Sequence, residues 1–134
     1  MAVVRTELAP NSRAPQQARE IVLGAITDLP KEVQDDAVLL VSELVSNSVV
    51  HVEAAPSDMI GLLVALEHNT LHVEVSDRSV LVAHRSPPAG ASGYGLNLVD
   101  RLSTRWGAEL RNGRNVTWFD MQVPPATAEP RSLR

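Results

Sequence analysis

Glu43, Asn47 and His51 recur at every fourth position within the stretch Leu39 to His51, LLVSELVSNSVVH. On a helix of 3.6 residues per turn they form a polar ladder along one flank, while Leu40, Leu44 and Ser48 share the adjoining flank with Val41 and Val45. An acid and an amide one turn apart, bordered by Leu and Val, are expensive to bury unless each finds a partner. Two other fragments carry chemistry of a complementary kind. Asp77 stands where an apolar strand stops and, when ionised, offers a group that only accepts hydrogen bonds. Gly93 and Gly95 stand where a loop meets a helix, so backbone N–H groups there can approach an anion that the helix's positive end attracts. Each fragment also has a plainer reading. Glu43 and Asn47 suit the polar face of an amphipathic helix, Asp77 suits a turn that it initiates through its own backbone, and the glycines suit a turn alone. His51 fits a helix C-terminus, where an imidazolium complements the dipole.

Composition bounds the ligand classes. A chain of 134 residues with 44% hydrophobic residues suits one domain, expected over residues 1–123, with a disordered tail over 124–134. No apolar run is long enough to span a membrane and no basic segment leads into an apolar one at the N-terminus, so a cytoplasmic protein is expected. Without cysteine there are no disulfides or thiolate metal sites, and the four histidines lack ligand spacing, so a structural metal is not expected. A net charge of −4 with scattered basic residues, and aromatics at only 3%, speak against nucleic acid as partner.

The elements that must position these residues follow from hydrophobic period. Val3 to Leu8 alternates as a short edge strand that Pro10 stops. Ser12 is the expected N-cap of a first helix bearing Ala18, Ile21, Val22, Ala25 and Ile26, weakened at Gly24 and ending before Pro30. A second, longest helix starts near Lys31 and runs to about His51. The period then changes to two: Ile60, Leu62, Val64 and Leu66, a turn over Glu67 to Thr70, and a return through Leu71, Val73 and Val75 to Asp77. Residues 78–92 show no period and form a loop of about fifteen residues, long enough for a functional lid. A third helix opens at Gly93-Tyr94-Gly95-Leu96, with Leu96, Val99, Leu102 and Trp106 facing a core. A last hairpin pairs Gly107–Arg111 with Asn115–Val123 across Asn112-Gly113-Arg114. The order lacks βαβ alternation, which predicts an α+β two-layer sandwich: an antiparallel or mixed sheet of about five strands with the helices packed on one face.

The order and spacing of Ser42-Glu43-Leu44-Val45-Ser46-Asn47 with His51, then Asp77, then Gly93-Tyr94-Gly95-Leu96, resemble the N box and the two glycine boxes of the GHKL ATPases. These are histidine-kinase-like ATP-binding domains of Bergerat type, and the likeness is greatest to the anti-sigma-factor serine kinases of bacteria. It spans roughly Glu7 to Val123, and Trp106-Gly107 with Gly113, Val116 and Trp118 look like the actinobacterial branch. The resemblance implies ATP and Mg²⁺ as cofactors. It implies that Asn47 ligates the Mg²⁺ bridging the phosphates and that Glu43 is the general base. Asp77 would accept the adenine amine, and Gly93, Tyr94, Gly95 and Leu96 would complete the nucleotide site. The implied partners are a sigma factor, which the protein sequesters, and a STAS-type anti-anti-sigma protein whose serine it phosphorylates, with a homodimer as the working state. One departure stands out: Asp77 is followed by Arg78, Ser79, Val80 and Leu81, with no glycine before Gly90, where such kinases carry D-x-G-x-G. A regulatory binding module of the same fold, with weak or no ATP binding, is therefore the alternative to the kinase.

Overall fold

The computed structural model describes residues 2–51, 58–78 and 94–124. The chain runs β1 (Ala2–Leu8), α1 (Ala14–Ala25), α2 (Lys31–His51), β2 (Ile60–Glu67), β3 (Thr70–Asp77), α3 (Tyr94–Leu102), β4 (Arg105–Arg111) and β5 (Arg114–Gln122). The strands form one sheet in the order β1-β2-β3-β5-β4, and all four pairings are antiparallel. This is the α+β sandwich the periodicity predicts, in its fully antiparallel form.

The inward residues of alternate positions make the core. Ile60, Leu62 and Val64 of β2, Leu71, Val73 and Val75 of β3, and Phe119 and Met121 of β5 are all buried, and they meet Ala14, Ala18 and Val22 of α1 and Val33, Ala37, Leu40, Val41, Leu44 and Val45 of α2. Alanines at i and i+4 allow α1 to lie close to its neighbours. The two helices form a hairpin whose turn is tied by Gln34, whose side-chain amide donates to the carbonyls of Thr27 (3.1 Å) and Leu29 (2.8 Å).

Local chemistry explains where expectation and structure part. Ser12 is not the N-cap of α1. Arg13 holds that position without a side-chain cap, and the Asn11 Oδ1 accepts from the Arg13 backbone N–H at 2.9 Å, so the turn is built one residue earlier by an amide rather than a hydroxyl. Trp106 is not on α3 but on β4. The helix stops at Leu102, the Ser103 N–H and hydroxyl both donate to the Val99 carbonyl, and the Thr104 N–H already donates to Asp120 of β5 at 2.7 Å. Trp106 sits four residues beyond Leu102, which imitates a helical period, yet it reaches the same core from the sheet. Both hairpins close over two residues, His68-Asn69 and Asn112-Gly113, all with positive φ, as type I′ turns require. The second turn is thus shorter than the three residues expected, with Arg111 facing Arg114, and β5 runs from Arg114 to Gln122 instead of Asn115 to Val123.

Gly107 has a packing role on the sheet face away from the helices. A Cβ there would stand 2.8 Å from Trp118 Nε1 and 2.9 Å from two further indole carbons. The rigid indole cannot yield as a flexible side chain would, so Gly107→Ala is expected to cost about 1–3 kcal/mol through overpacking. Urea unfolding of the two proteins checks this, with an unchanged midpoint as the contrary result.

Candidate functional site

Topology brings the singled-out fragments to one end of the sheet. Leu8, the last residue of β1, lies opposite Ile60, the first of β2; Gly61 lies opposite Ser76; and Asp77, the last residue of β3, lies opposite Asn115 near the start of β5. From this end the chain enters α1, turns, and comes back along α2, which places the Glu43 to His51 half of α2 toward the same end. Helix α3 leads into β4 at Arg105, opposite Asp120 and so toward the far end of the sheet from Asp77, and it packs against α2. Packing of α2 against α1, α3 and β3 fixes this layer on the sheet.

Helix α2 presents its residues as the ladder predicts. Leu40, Val41, Leu44, Val45 and Ser48 are buried, whereas Glu43 and Asn47 are half-buried at the border of the core. The neighbouring position Ser42 touches α1, where Arg19 donates to its hydroxyl at 2.8 Å. Glu43 and Asn47 lie about 100° and 140° further round the helix, turned away from that contact. A half-buried carboxylate and amide one turn apart keep hydrogen-bonding capacity for a ligand that a fully buried pair would have to spend inside the protein. His51 is the last described residue of α2, with residues 52–57 outside the described residues.

Asp77 is 5% exposed and faces the helix layer at the end of β3. A plain turn residue would be solvated, so this burial sets Asp77 apart from a simple turn former. Its register partner Asn115 is 4% exposed, and neither residue is unpartnered. Asn115 is the residue that sequence reasoning missed. Its signal was there: it begins the inward-facing set Asn115, Thr117, Phe119 and Met121, and a polar side chain at an inward position asks for a polar neighbour. Tyr94, Gly95 and Leu96 make the first turn of α3. Gly93, the loop over 79–92 and the tail beyond 124 lie outside the described residues.

The chemistry of the Asn47 amide suits a magnesium ion that phosphates and water would hold in the main. Asn47 supplies one hard amide oxygen, and among the described residues no cluster of three or more His, Asp or Glu is placed to hold a metal by protein ligands alone. A cavity of about 280 Å³ lies elsewhere, lined by Arg5, Glu7, Gly61, Glu74, Ser76 and Arg114 among others, and none of the candidate residues borders it. Among the described residues no helix is long and apolar enough to cross a membrane.

Comparison with known proteins agrees with this geometry. A model of the histidine kinase-like ATPase domain matches residues 7–121. The crystal structure of the RsbU and RsbW domains of Rv1364c from Mycobacterium tuberculosis has the same fold, with a TM-score of 0.72 at 17% identity over 92% of this chain. That match takes in 33% of the solved chain, so the present chain spans about a third of its length. No curated protein matches the sequence.

Proposed function

The chain belongs to the histidine kinase-like ATPase domain family, and from that premise we propose that it is an ATP-binding anti-sigma factor with serine kinase activity. The observation that supports this reading is the burial of Asp77 at the end of β3 beneath a helix layer whose α2 carries half-buried Glu43 and Asn47. In this reading the adenine amine donates to Asp77, and the first turn of α3 receives the phosphates on its backbone N–H groups. Bound Mg²⁺ would neutralise charge on the phosphates. The Asn47 side-chain oxygen would orient the phosphate end of the nucleotide along α2. Glu43 would accept the proton of a serine hydroxyl as its oxygen bonds to the γ-phosphorus and ADP departs. The serine belongs to a STAS-type anti-anti-sigma protein, the sequestered partner is a sigma factor, and the working state is a homodimer.

Calorimetric titration with ATP, with and without Mg²⁺, tests the site. Asn47→Ala is expected to remove the Mg²⁺-dependent part of the affinity, a loss of about tenfold or more, which corresponds to about 1.4 kcal/mol per tenfold. Its melting temperature should stay near that of the parent, because Asn47 borders the core instead of filling it. Unchanged Mg²⁺-dependent affinity would sink the assignment. A second reading, regulation by protein contact without catalysis, draws on the run Arg78, Ser79, Val80 and Leu81, whose side chains stiffen the backbone after Asp77 where glycine would free it. Sigma-factor capture that needs no nucleotide, together with no measurable ATP binding, would favour that second reading.

A further inference from the structure

The sheet face turned away from the helices carries a cross-strand set of charges that the nucleotide reading does not use. His72 of β3 lies opposite Asp120 of β5. Its Nδ1 is 2.5 Å from Asp120 Oδ1 and its Nε2 is 2.8 Å from Glu74 Oε2. A neutral imidazole has one N–H and one lone pair, so it can donate to one of these carboxylates only while its lone pair confronts the other. The imidazolium donates to both. The second oxygens are also taken: Arg105 of β4 donates to Asp120 Oδ2 at 2.8 Å, and Arg111 of β4 reaches across β5 to Glu74 Oε1 at 3.1 Å while holding Glu109. Three carboxylates, Asp120, Glu74 and Glu109, therefore balance three cations, Arg105, Arg111 and His72, only when His72 is protonated.

The set is sheltered enough for that balance to matter. The side chains of Asp120, Glu74 and His72 are 8%, 19% and 30% exposed, so salt screens them less than a surface pair. Trp118 covers it, with its ring 5.6 Å from the His72 ring and 5.8 Å from the Arg105 guanidinium. From β2 the residue opposite His72 is Ala65, with Leu63 and Glu67 on the diagonals, and Glu67 stands beside His68; from β1 the same face carries Val3, Arg5 and Glu7. None of these replaces the His72 proton between Glu74 and Asp120.

We propose that His72 is a proton-operated clasp that binds the β4–β5 hairpin to β3 when charged and releases it when the proton leaves. The inference does not depend on the nucleotide reading. Burial acts to lower the His72 pKa, but hydrogen bonds to Glu74 and Asp120 and the charge of both outweigh it and hold it above the ordinary value; the same contacts and Arg111 hold Glu74 below its own against burial. A group whose folded-state pKa is raised stabilises fully below its unfolded value, about 6.5, and loses that contribution as pH climbs through the folded value. The clasp thus opens on the alkaline side.

The test is an NMR titration of the His72 ring in the full chain from pH 5 to 9. Amide exchange of β5, residues 115–122, which form the ladder to β3, is measured alongside, relative to β1 amides, which cancels the intrinsic pH dependence of exchange. The expected result is a His72 midpoint above about 6.5, with relative protection of the β5 amides falling by roughly tenfold per unit of that elevation as the proton is lost. His72→Gln, which donates without charge, should show low protection independent of pH, and His72→Lys should show protection that no longer falls over this range. A His72 midpoint at or below the ordinary value, or a relative protection that stays constant through the titration, overturns the proposal. If His72→Gln does not fold, the titration and exchange of the unmutated chain still decide.

Discussion

Glu43→Gln is expected to lower phosphate transfer by roughly 100-fold or more while ATP affinity is retained. The argument is one of shape and proton count. Glutamine keeps the length and hydrogen-bonding reach of Glu43, and the half-buried border position of this side chain on α2 makes no demand that only a carboxylate meets. What the substitution removes is the ability to take a proton from an incoming serine hydroxyl. The measurement is transfer of labelled phosphate from ATP to anti-anti-sigma proteins of the same genome, with calorimetry for nucleotide and thermal melting as controls. Equal transfer by both proteins, or loss of binding and stability together, would assign Glu43 a structural role. A parent protein that binds ATP tightly and labels no member of a complete panel would end the kinase reading and turn attention to the glycine-poor run after Asp77.

Phe119→Ala is expected to remove about 3–5 kcal/mol of stability. Phe119 is the largest fully buried side chain among the described residues, and in the register of the sheet it stands between Val73 on β3 and Trp106 on β4. The neighbours are backbone-anchored strands and cannot collapse inward as a loop would, so truncation leaves a cavity as well as losing apolar transfer energy. Since a domain of this kind holds about 5–15 kcal/mol in total, the loss takes a large part of the reserve. Guanidinium unfolding reads it as a fall in midpoint at constant slope. A change under about 1 kcal/mol would mean that the space between sheet and helices refills, and that the α2 layer is less firmly seated than the burial of Leu40, Val41 and Val45 implies.

Much of this fold is legible because two periods alternate cleanly along the chain. The 3.6-residue spacing of Leu40, Leu44 and Ser48 with Val41 and Val45 oriented α2 correctly, and the two-residue alternation of β2 and β3 named the buried apolar positions of that hairpin, with Leu66 only partly buried. The candidate site residues were singled out from the same periods, Glu43 and Asn47 as polar positions within that of α2 and Asp77 where that of β3 stops. Trp106 was misplaced because a strand residue four positions beyond Leu102 satisfies a helical period by coincidence, and only the Thr104 hydrogen bond to Asp120 shows that the chain has already joined the sheet. The cap of α1 was misplaced by one residue because Ser12 is a good capping residue by type, whereas the helix starts after Arg13 and the preceding turn is closed by the Asn11 side chain. Asn115 escaped because its meaning lies in its partner: nothing in its local sequence says that it will stand opposite Asp77 across a long connection. The charge set around His72 is of the same kind, assembled from three strands that only tertiary structure brings together.

The pairing of Asp77 with Asn115 has a consequence for the order in which the domain is built. Each of the two hairpins closes over two residues and can form early, whereas joining β3 to β5 must first close the whole connection through α3, at a cost in chain entropy that the local turns do not carry. The seam between β3 and β5, like that between β1 and β2 with its still longer connection through α1 and α2, is therefore expected to zip after the two hairpins, and the candidate nucleotide site is laid at its end. A ligand that grips both sides of a late-forming seam acts as a fastener, and ATP would be as much a folding cofactor of this domain as its substrate.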